Sequence, residues 1–95
     1  MNKLNDKRFK ILDYIFWYED GMGNITVYNM KEKKYYKITN STGRQIFLSI
    51  NLGVLCQEIV SKMQRAFAHV DSSLIEDDTV KFLLNLKQNN IIKGI

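Results

Sequence analysis

Few side chains in this sequence are of the types that perform chemistry. His69 is the only histidine and Cys56 the only cysteine, and they lack the close spacing typical of metal ligands. Cys56 lies in an apolar helical stripe, which favours a buried thiol over a reactive one. Glu76, Asp77 and Asp78 match the first turn of a helix more simply than an acid–base site. The sequence therefore predicts a protein that is not an enzyme, with no metal and no other cofactor.

The size and charge of the chain suit a small binding domain. It has 95 residues and a formal net charge of +4, and we expect one domain over residues 1–95, with residues 1–10 as a flexible tail. It has no secretion signal and no apolar run of membrane-spanning length, so we expect a cytoplasmic protein without a membrane partner. Lysines cluster over residues 31–37. They suit an acidic peptide, nucleic acid or an anionic lipid surface, or form a merely solvated surface.

The first half of the chain predicts three strands. Residues 12–19 are rich in aromatic and β-branched side chains, and residues 25–30 alternate, with Ile25, Val27 and Asn29 on one face. A glycine-containing turn joins these two segments. Residues 34–39 form a third short strand. Short connections between the three favour an antiparallel meander.

The second half predicts three helices. Asn40, Ser41 or Thr42 can cap the first helix, the second covers residues 54–67, and the third covers residues 75–88. A three-stranded sheet cannot stand alone and must dock on helices. The sequence therefore predicts an α+β, winged-helix-like domain in which a three-stranded antiparallel sheet is followed by three helices.

Apolar side chains of the third helix point in two directions. Val80, Leu83 and Leu84 share one side, whereas Phe82 and Leu86 point well away from them. One side can serve the core, and the other must be covered by the sheet, the second helix or a ligand.

Peptide binding and DNA binding are both open to a small basic α+β domain. The third helix is mostly apolar with an acidic start, which is the wrong surface for a DNA groove. Peptide binding is therefore the leading hypothesis, and a winged-helix DNA-binding regulator is the alternative. The edge of the third strand can instead accept an extended peptide as an added strand. The same edge could pair with its own copy, which leaves a homodimer open. A subunit that only bridges enzymes is a third possibility.

Residues 35–47 carry a resemblance to a known family. The run Tyr-Tyr-Lys-Ile-Thr-Asn-Ser-Thr-Gly-Arg-Gln-Ile-Phe resembles the PqqD-like proteins, or precursor-peptide recognition elements, with Asn40, Gly43, Ile46 and Phe47 at the family's spacing. Residues 77–92 look like the last helix and closing segment of that family. Overall the resemblance covers roughly residues 14–92. Thr39 departs from it, because the family usually has Leu there, and this leaves the register of the third strand open.

The resemblance implies a stand-alone domain that binds the leader segment of a ribosomally made precursor peptide. The leader would add beside the third strand, in a groove against the third helix, and be presented to a modifying enzyme such as a radical-SAM enzyme or a leader peptidase. The residues predicted to bind the peptide come from these two elements. They are Tyr35, Tyr36, Lys37, Ile38, Val80, Lys81, Leu84 and Lys87.

Overall fold

A computed structural model describes residues 8–94 of the chain. Its elements are β1 (Phe9–Ile11), β2 (Ile15–Glu19), β3 (Ile25–Asn29), β4 (Lys34–Ile38), α1 (Ser41–Asn51), α2 (Cys56–Ala66), α3 (Ser72–Gln88) and β5 (Ile92–Gly94). Strands β2, β3 and β4 form an antiparallel sheet in that order. The predicted α+β, winged-helix-like fold, with a three-stranded antiparallel sheet followed by three helices, is confirmed.

The register of the sheet settles which side chains share a face. On the inner face, Trp17 lies opposite Val27, and Val27 lies opposite Tyr36. Ile25 and Ile38 form another inner pair, and both are buried. Because side chains alternate along a strand, the residues between these positions point to the outer face. Ile25, Val27 and Asn29 are all buried, as the predicted inner face requires, and Thr26 on the outer face is buried as well.

Helix α1 follows the sheet directly and packs on its inner face. Asn40 is its N-cap, and the Asn40 side chain accepts a hydrogen bond of 2.6 Å from the backbone N–H of Gly43. This satisfies a donor that the helix start leaves unpaired. Phe47 is fully buried and meets the Trp17 ring edge-on, with 5.2 Å between ring centroids. The helix thereby fixes the sheet's position over the core.

Gly43 allows three elements to approach closely. A Cβ atom at this position would lie 2.9 Å from the Cγ2 atom of Ile38 and 3.2 Å from the Cζ atom of Phe82. The first distance is shorter than ordinary van der Waals contact, so a side chain here would push β4 or α3 away. The glycine therefore holds the end of β4 and the middle of α3 against α1.

The structure at the two ends of the chain differs from the predicted tail at residues 1–10. Phe9 is buried, and β1 pairs antiparallel with β5, so residues 9 and 10 are part of the fold. Arg8 forms an isolated bridge with Leu55. A three-residue strand whose partner lies at the other end of the chain leaves no local pattern to detect. Residues 1–7 of that predicted tail lie outside the described residues.

Helix α3 begins earlier than predicted. Asp71 is its N-cap and accepts hydrogen bonds from the backbone N–H groups of Ser73 and Leu74. The first turn therefore contains no acid, and Glu76, Asp77 and Asp78 fall in the second turn. Within residues 8–94, no helix combines the length and the apolar character needed to cross a membrane.

Candidate functional site

A cleft separates the inner face of β4 from one side of α3. Along α3, Asp78, Phe82, Asn85 and Asn89 recur at helical spacing and so share one side of the helix. Lys34, Tyr36 and Ile38 alternate along β4 and share its inner face. The two elements run in opposite directions, because Phe82 lies near the end of β4 and Asn89 lies near its start. We refer to this space as the β4–α3 cleft.

One hydrogen bond crosses the middle of the cleft. The Tyr36 hydroxyl donates to the Oδ1 atom of Asn85 at 2.6 Å. Tyr36 is half-buried, and this burial raises the pKa of its phenol, which keeps the hydroxyl protonated as a donor. Two cavities lie near this contact. One lies between α1, α2 and α3 and has Phe82 but no residue of β4 in its lining, and the other lies beside the start of β4 and has Tyr36 in its lining.

The first cavity, here called the apolar cavity, has a volume of about 310 Å³. That lies at the lower end of the range of about 300–1,000 Å³ seen for ligand pockets. Apolar side chains make up most of its wall, with a few polar groups among them. Its lining residues are Asn40, Thr42, Gly43, Ile46, Met63, Phe67, Ile75, Asp78, Thr79 and Phe82.

The second cavity, here called the polar cavity, has a volume of about 170 Å³ and lies beside the start of β4. It is lined by Val27, Asn29, Glu32, Lys34, Tyr35, Tyr36, Gln88, Asn89 and Ile91. Lys34 supplies a positive charge there, and Gln88 and Asn89 supply side-chain amides. The two cavities therefore differ in chemistry.

Three polar side chains close the end of the cleft beyond the polar cavity. The Asn90 side chain donates to Glu32 at 2.6 Å, and the Asn29 side chain donates to the Asn90 carbonyl at 3.3 Å. The Asn29 side chain also accepts from the backbone N–H of Glu32. These bonds join the β3–β4 turn to the end of α3, and they fix the width of the cleft at this end.

The four residues predicted on β4 divide between the two faces of the sheet. Tyr36 lies in the cleft, and Ile38 is buried where the cleft meets Gly43. Tyr35 and Lys37 belong to the outer face, where the Tyr35 ring lies 4.7 Å from the ring of Tyr28. The side chains of Tyr35 and Lys37 therefore point to the outer face, although Tyr35 also contributes to the lining of the polar cavity. Which of the four residues contact a peptide stays a prediction.

The residues predicted on α3 also divide. At about 100° per residue, Lys81 lies near the direction of Asn85, whereas Val80, Leu84 and Lys87 point at least about 100° away from it. Neither cavity described above is lined by Val80, Leu84 or Lys87. These three side chains therefore lie away from Asn85 and from both cavities, and their contact with a peptide stays a prediction.

The α3 residues that do face the cleft were missed as binding residues. They are Ile75, Asp78, Thr79, Phe82, Asn85, Gln88 and the C-cap residue Asn89. One available signal was the direction of Phe82, which points well away from Val80 and Leu84. Tyr36 and Asn85 are 49 positions apart, and no local pattern predicts their contact.

The predicted absence of a reactive thiol fits the surroundings of Cys56. It is fully buried, and burial, followed by the negative charge of Glu76, raises the pKa of its thiol. A raised pKa disfavours the nucleophilic thiolate. In the part of the chain described, no three histidine, cysteine or acidic side chains are grouped in a way that could hold a metal ion.

Among solved structures, two are similar across nearly the whole chain. TbiB1 in complex with the TbiA(beta) leader peptide has a TM-score of 0.80 and 21% sequence identity, covering 90% of this chain and 96% of that chain. A lasso peptide synthetase B1 complexed with the leader peptide has a TM-score of 0.76 and 16% identity, covering 90% and 98%. At these identities the likeness shows a shared fold.

No protein-family model and no curated protein matches this chain. The resemblance to the PqqD-like proteins therefore stays a prediction from residues 35–47 and 77–92. The similar structures show the fold over 90% of this chain.

Proposed function

We propose that this protein is a non-catalytic domain that binds the leader segment of a ribosomally made precursor peptide. The leader adds as a strand to the open edge of β4 and places alternate side chains in the β4–α3 cleft. The observation that carries the proposal is the position of β4: it stands at the end of the strand order β2-β3-β4, beside a cleft that has two cavities near it. An edge strand offers unpaired N–H and C=O groups that an extended peptide can pair with.

The similar structures support this proposal. Both are complexes with a leader peptide, and both share the fold over 90% of this chain. The lasso peptide synthetase among them favours a lasso-peptide pathway over a radical-SAM pathway. The bound leader is then presented to a modifying enzyme or leader peptidase, and the domain itself performs no chemistry.

The charge distribution favours a peptide over a DNA duplex. Helix α3 carries Glu76, Asp77 and Asp78 in its second turn, and these carboxylates repel phosphates. The lysines of the β3–β4 turn and of β4 instead lie in or beside the strand whose edge is open. An acidic peptide segment would be attracted to that edge and would meet the domain faster.

A binding assay tests the proposal directly. A fluorescently labelled leader peptide, taken from a precursor gene adjacent to the gene for this chain, is titrated with the protein at low and at moderate salt. A labelled DNA duplex is titrated in parallel. We expect peptide binding that persists at moderate salt, because part of the contact is apolar and part is backbone hydrogen bonding.

Backbone methylation of the peptide tests the added strand. In strand pairing, every second peptide N–H faces the partner strand. N-methylation of one set of alternate residues should abolish binding, and N-methylation of the other set should leave it. Equal effects from the two sets would contradict strand addition.

A pair of protein variants locates the binding surface. Phe82→Asp places a charge in the apolar cavity and should lower the affinity for the peptide at least about tenfold. Leu84→Asp makes the same kind of change on the side of α3 that faces away from the cleft, and it should have little effect. DNA binding that collapses with salt, without peptide binding, would overturn the proposed function.

A further inference from the structure

We infer that the β4–α3 cleft selects peptides by an alternating pattern: an apolar residue, then a small residue, then an acidic residue, each two positions apart. This inference rests on the proposed function and goes beyond it, because it names the peptide sequence that the cleft accepts. The two cavities and the hydrogen bond near them carry the argument.

Spacing along β4 sets the spacing of the pattern. Ile38, Tyr36 and Lys34 are the inward-facing positions of the strand. Residues directly opposite one another on paired strands point to the same face, so three peptide residues at alternate positions also face inward. The outer two of them lie about 13 Å apart at about 3.3 Å per residue.

The peptide residue near Ile38 is the one nearest the apolar cavity, which reaches the end of β4 through Asn40 and Gly43. Ile46, Phe67 and Phe82 contribute apolar side chains to its wall. Burial of an aliphatic or aromatic peptide side chain there is favourable, at about 25 cal/mol for each Å² removed from water. Asp78 also lines this cavity and would repel a peptide carboxylate.

The peptide residue opposite Tyr36 meets the hydrogen bond that crosses the cleft. The Tyr36 hydroxyl and the Oδ1 atom of Asn85 are 2.6 Å apart and join the inner face of β4 to α3. A large inward-facing side chain would have to break this bond. The side chain of a glycine, alanine or serine is small enough to leave the bond intact.

The peptide residue opposite Lys34 faces the polar cavity. Lys34 offers an ammonium group there, and Gln88 offers a side-chain amide. Glu32 is the acid of this cavity, and the charges of Lys31, Lys33 and Lys34 in and beside the same turn outnumber it. An aspartate or glutamate in the peptide therefore finds donors and a positive charge.

Strand direction sets the order of the pattern. Neighbouring strands of this sheet are all antiparallel, and antiparallel pairs outnumber parallel pairs in proteins generally. A peptide antiparallel to β4 passes Ile38 first and Lys34 last. From N- to C-terminus the pattern is then apolar, any, small, any, acidic.

A displayed library of random ten-residue peptides tests the pattern. The full chain is used for selection, and the enriched peptides are synthesised with a fluorescent label for titration. We expect enrichment of an apolar residue, a small residue two positions later and an acid two positions after that. Replacing the small residue by leucine should weaken binding more than the same change at the intervening positions.

A charge exchange assigns the acid to its partner. Lys34→Glu should weaken an enriched peptide about fivefold to tenfold, and changing the peptide's acid to lysine should restore binding to this variant. Lys87→Glu is the matched control, because it makes the same charge change on the far side of α3.

The outcomes separate this inference from the proposed function. Enriched peptides that lose binding on alternate N-methylation, but show no such pattern or show it in reverse order, would overturn the inference and leave strand addition standing. Failure of the charge exchange would also overturn it. If neither the library nor the leader yields a peptide that binds, the proposed function falls as well.

Discussion

The two faces of the sheet formed by β2, β3 and β4 carry similar aromatic side chains in different surroundings. On the inner face, Trp17 packs edge-on against Phe47, and Tyr36 bonds to Asn85. On the outer face, Phe16 is 61% exposed and Tyr35 is 72% exposed. Both faces have the residue types that bind peptides. The helices behind the inner face, and not the aromatic content, distinguish the side that forms a cleft.

Truncation of one aromatic residue on each face should show the largest contrast. Phe47→Ala removes a fully buried ring and should lower the free energy of unfolding by about 3–5 kcal/mol. Phe16→Ala removes an exposed ring and should change it by less than about 0.5 kcal/mol. Urea denaturation followed by circular dichroism measures both.

One result for Phe16→Ala would contradict this expected difference between the two faces. A loss above about 2 kcal/mol for Phe16→Ala would mean that the outer face is covered in solution, for example by a second copy of the chain. Repeating the denaturation at several protein concentrations would then detect the dimer, because its stability depends on concentration.

Gly43 marks the place where the inner face, α1 and α3 meet, and its replacement should give the next largest effect. In an open helix, Gly→Ala stabilises by up to about 1 kcal/mol. Here the added Cβ would lie 2.9 Å from the Cγ2 atom of buried Ile38. We therefore expect Gly43→Ala to destabilise the fold by about 1–3 kcal/mol.

Gly21 is the control for this substitution. A Cβ atom at Gly21 meets no atom within 4 Å, and its φ angle is not positive. Gly21→Ala should therefore be neutral or slightly stabilising. Thermal unfolding of both variants compares them directly. A stabilised Gly43→Ala variant would show that β4 and α3 separate without cost.

Local patterns predicted most of the fold. The alternation of Ile25, Val27 and Asn29 identified the inner face, and the capping residues around Asn40 identified the start of α1. The pairing of β1 with β5 was missed, because it joins two three-residue segments from opposite ends of the chain. Such pairing depends on tertiary contacts and not on periodicity.

The candidate site was less predictable than the fold. Alternation along β4 assigns Tyr36 and Ile38 to the inner face and Tyr35 and Lys37 to the outer face, so the four predicted residues do not share one side of the strand. On α3, apolar residue type favours Val80 and Leu84 over Asn85 as groove residues. The cleft instead uses amides that bond across it, and their positions depend on how α3 is rotated against the sheet.

Removal of the bridging hydroxyl should give a smaller effect than the core changes. Tyr36→Phe deletes the donor to Asn85 and should lower the free energy of unfolding by about 0.5–1.5 kcal/mol. Tyr35→Phe makes the same change on the outer face and should be close to neutral. A double-mutant cycle with Asn85→Ala isolates the coupling between Tyr36 and Asn85.

The result for Tyr36 also bears on peptide binding. If the bond only closes the middle of the cleft, Tyr36→Phe should admit a leucine at the small position of a bound peptide more readily than the unaltered protein does. A coupling energy near zero in the cycle would instead show that the bond is not maintained in solution.

The smallest effect concerns the start of α3, where Asp71 caps the helix. The Ser73 hydroxyl at 2.7 Å is the main cause that lowers the pKa of the Asp71 carboxyl from its ordinary value of 3.8, followed by the backbone N–H groups of Ser73 and Leu74. Because the folded state lowers this pKa, the stabilisation is fully present above pH 3.8 and is lost as the pH falls through the lower folded value.

Asp71→Asn keeps a capping oxygen but does not titrate in this range. We expect the variant to lose less stability than the unaltered protein in urea titrations between about pH 6 and about pH 2. Asp20, whose pKa is lowered mainly by the backbone N–H of Asn24, is present in both proteins, so its contribution cancels in the difference. Parallel acid curves for the two proteins would show that Asp71 does not couple helix formation to protonation.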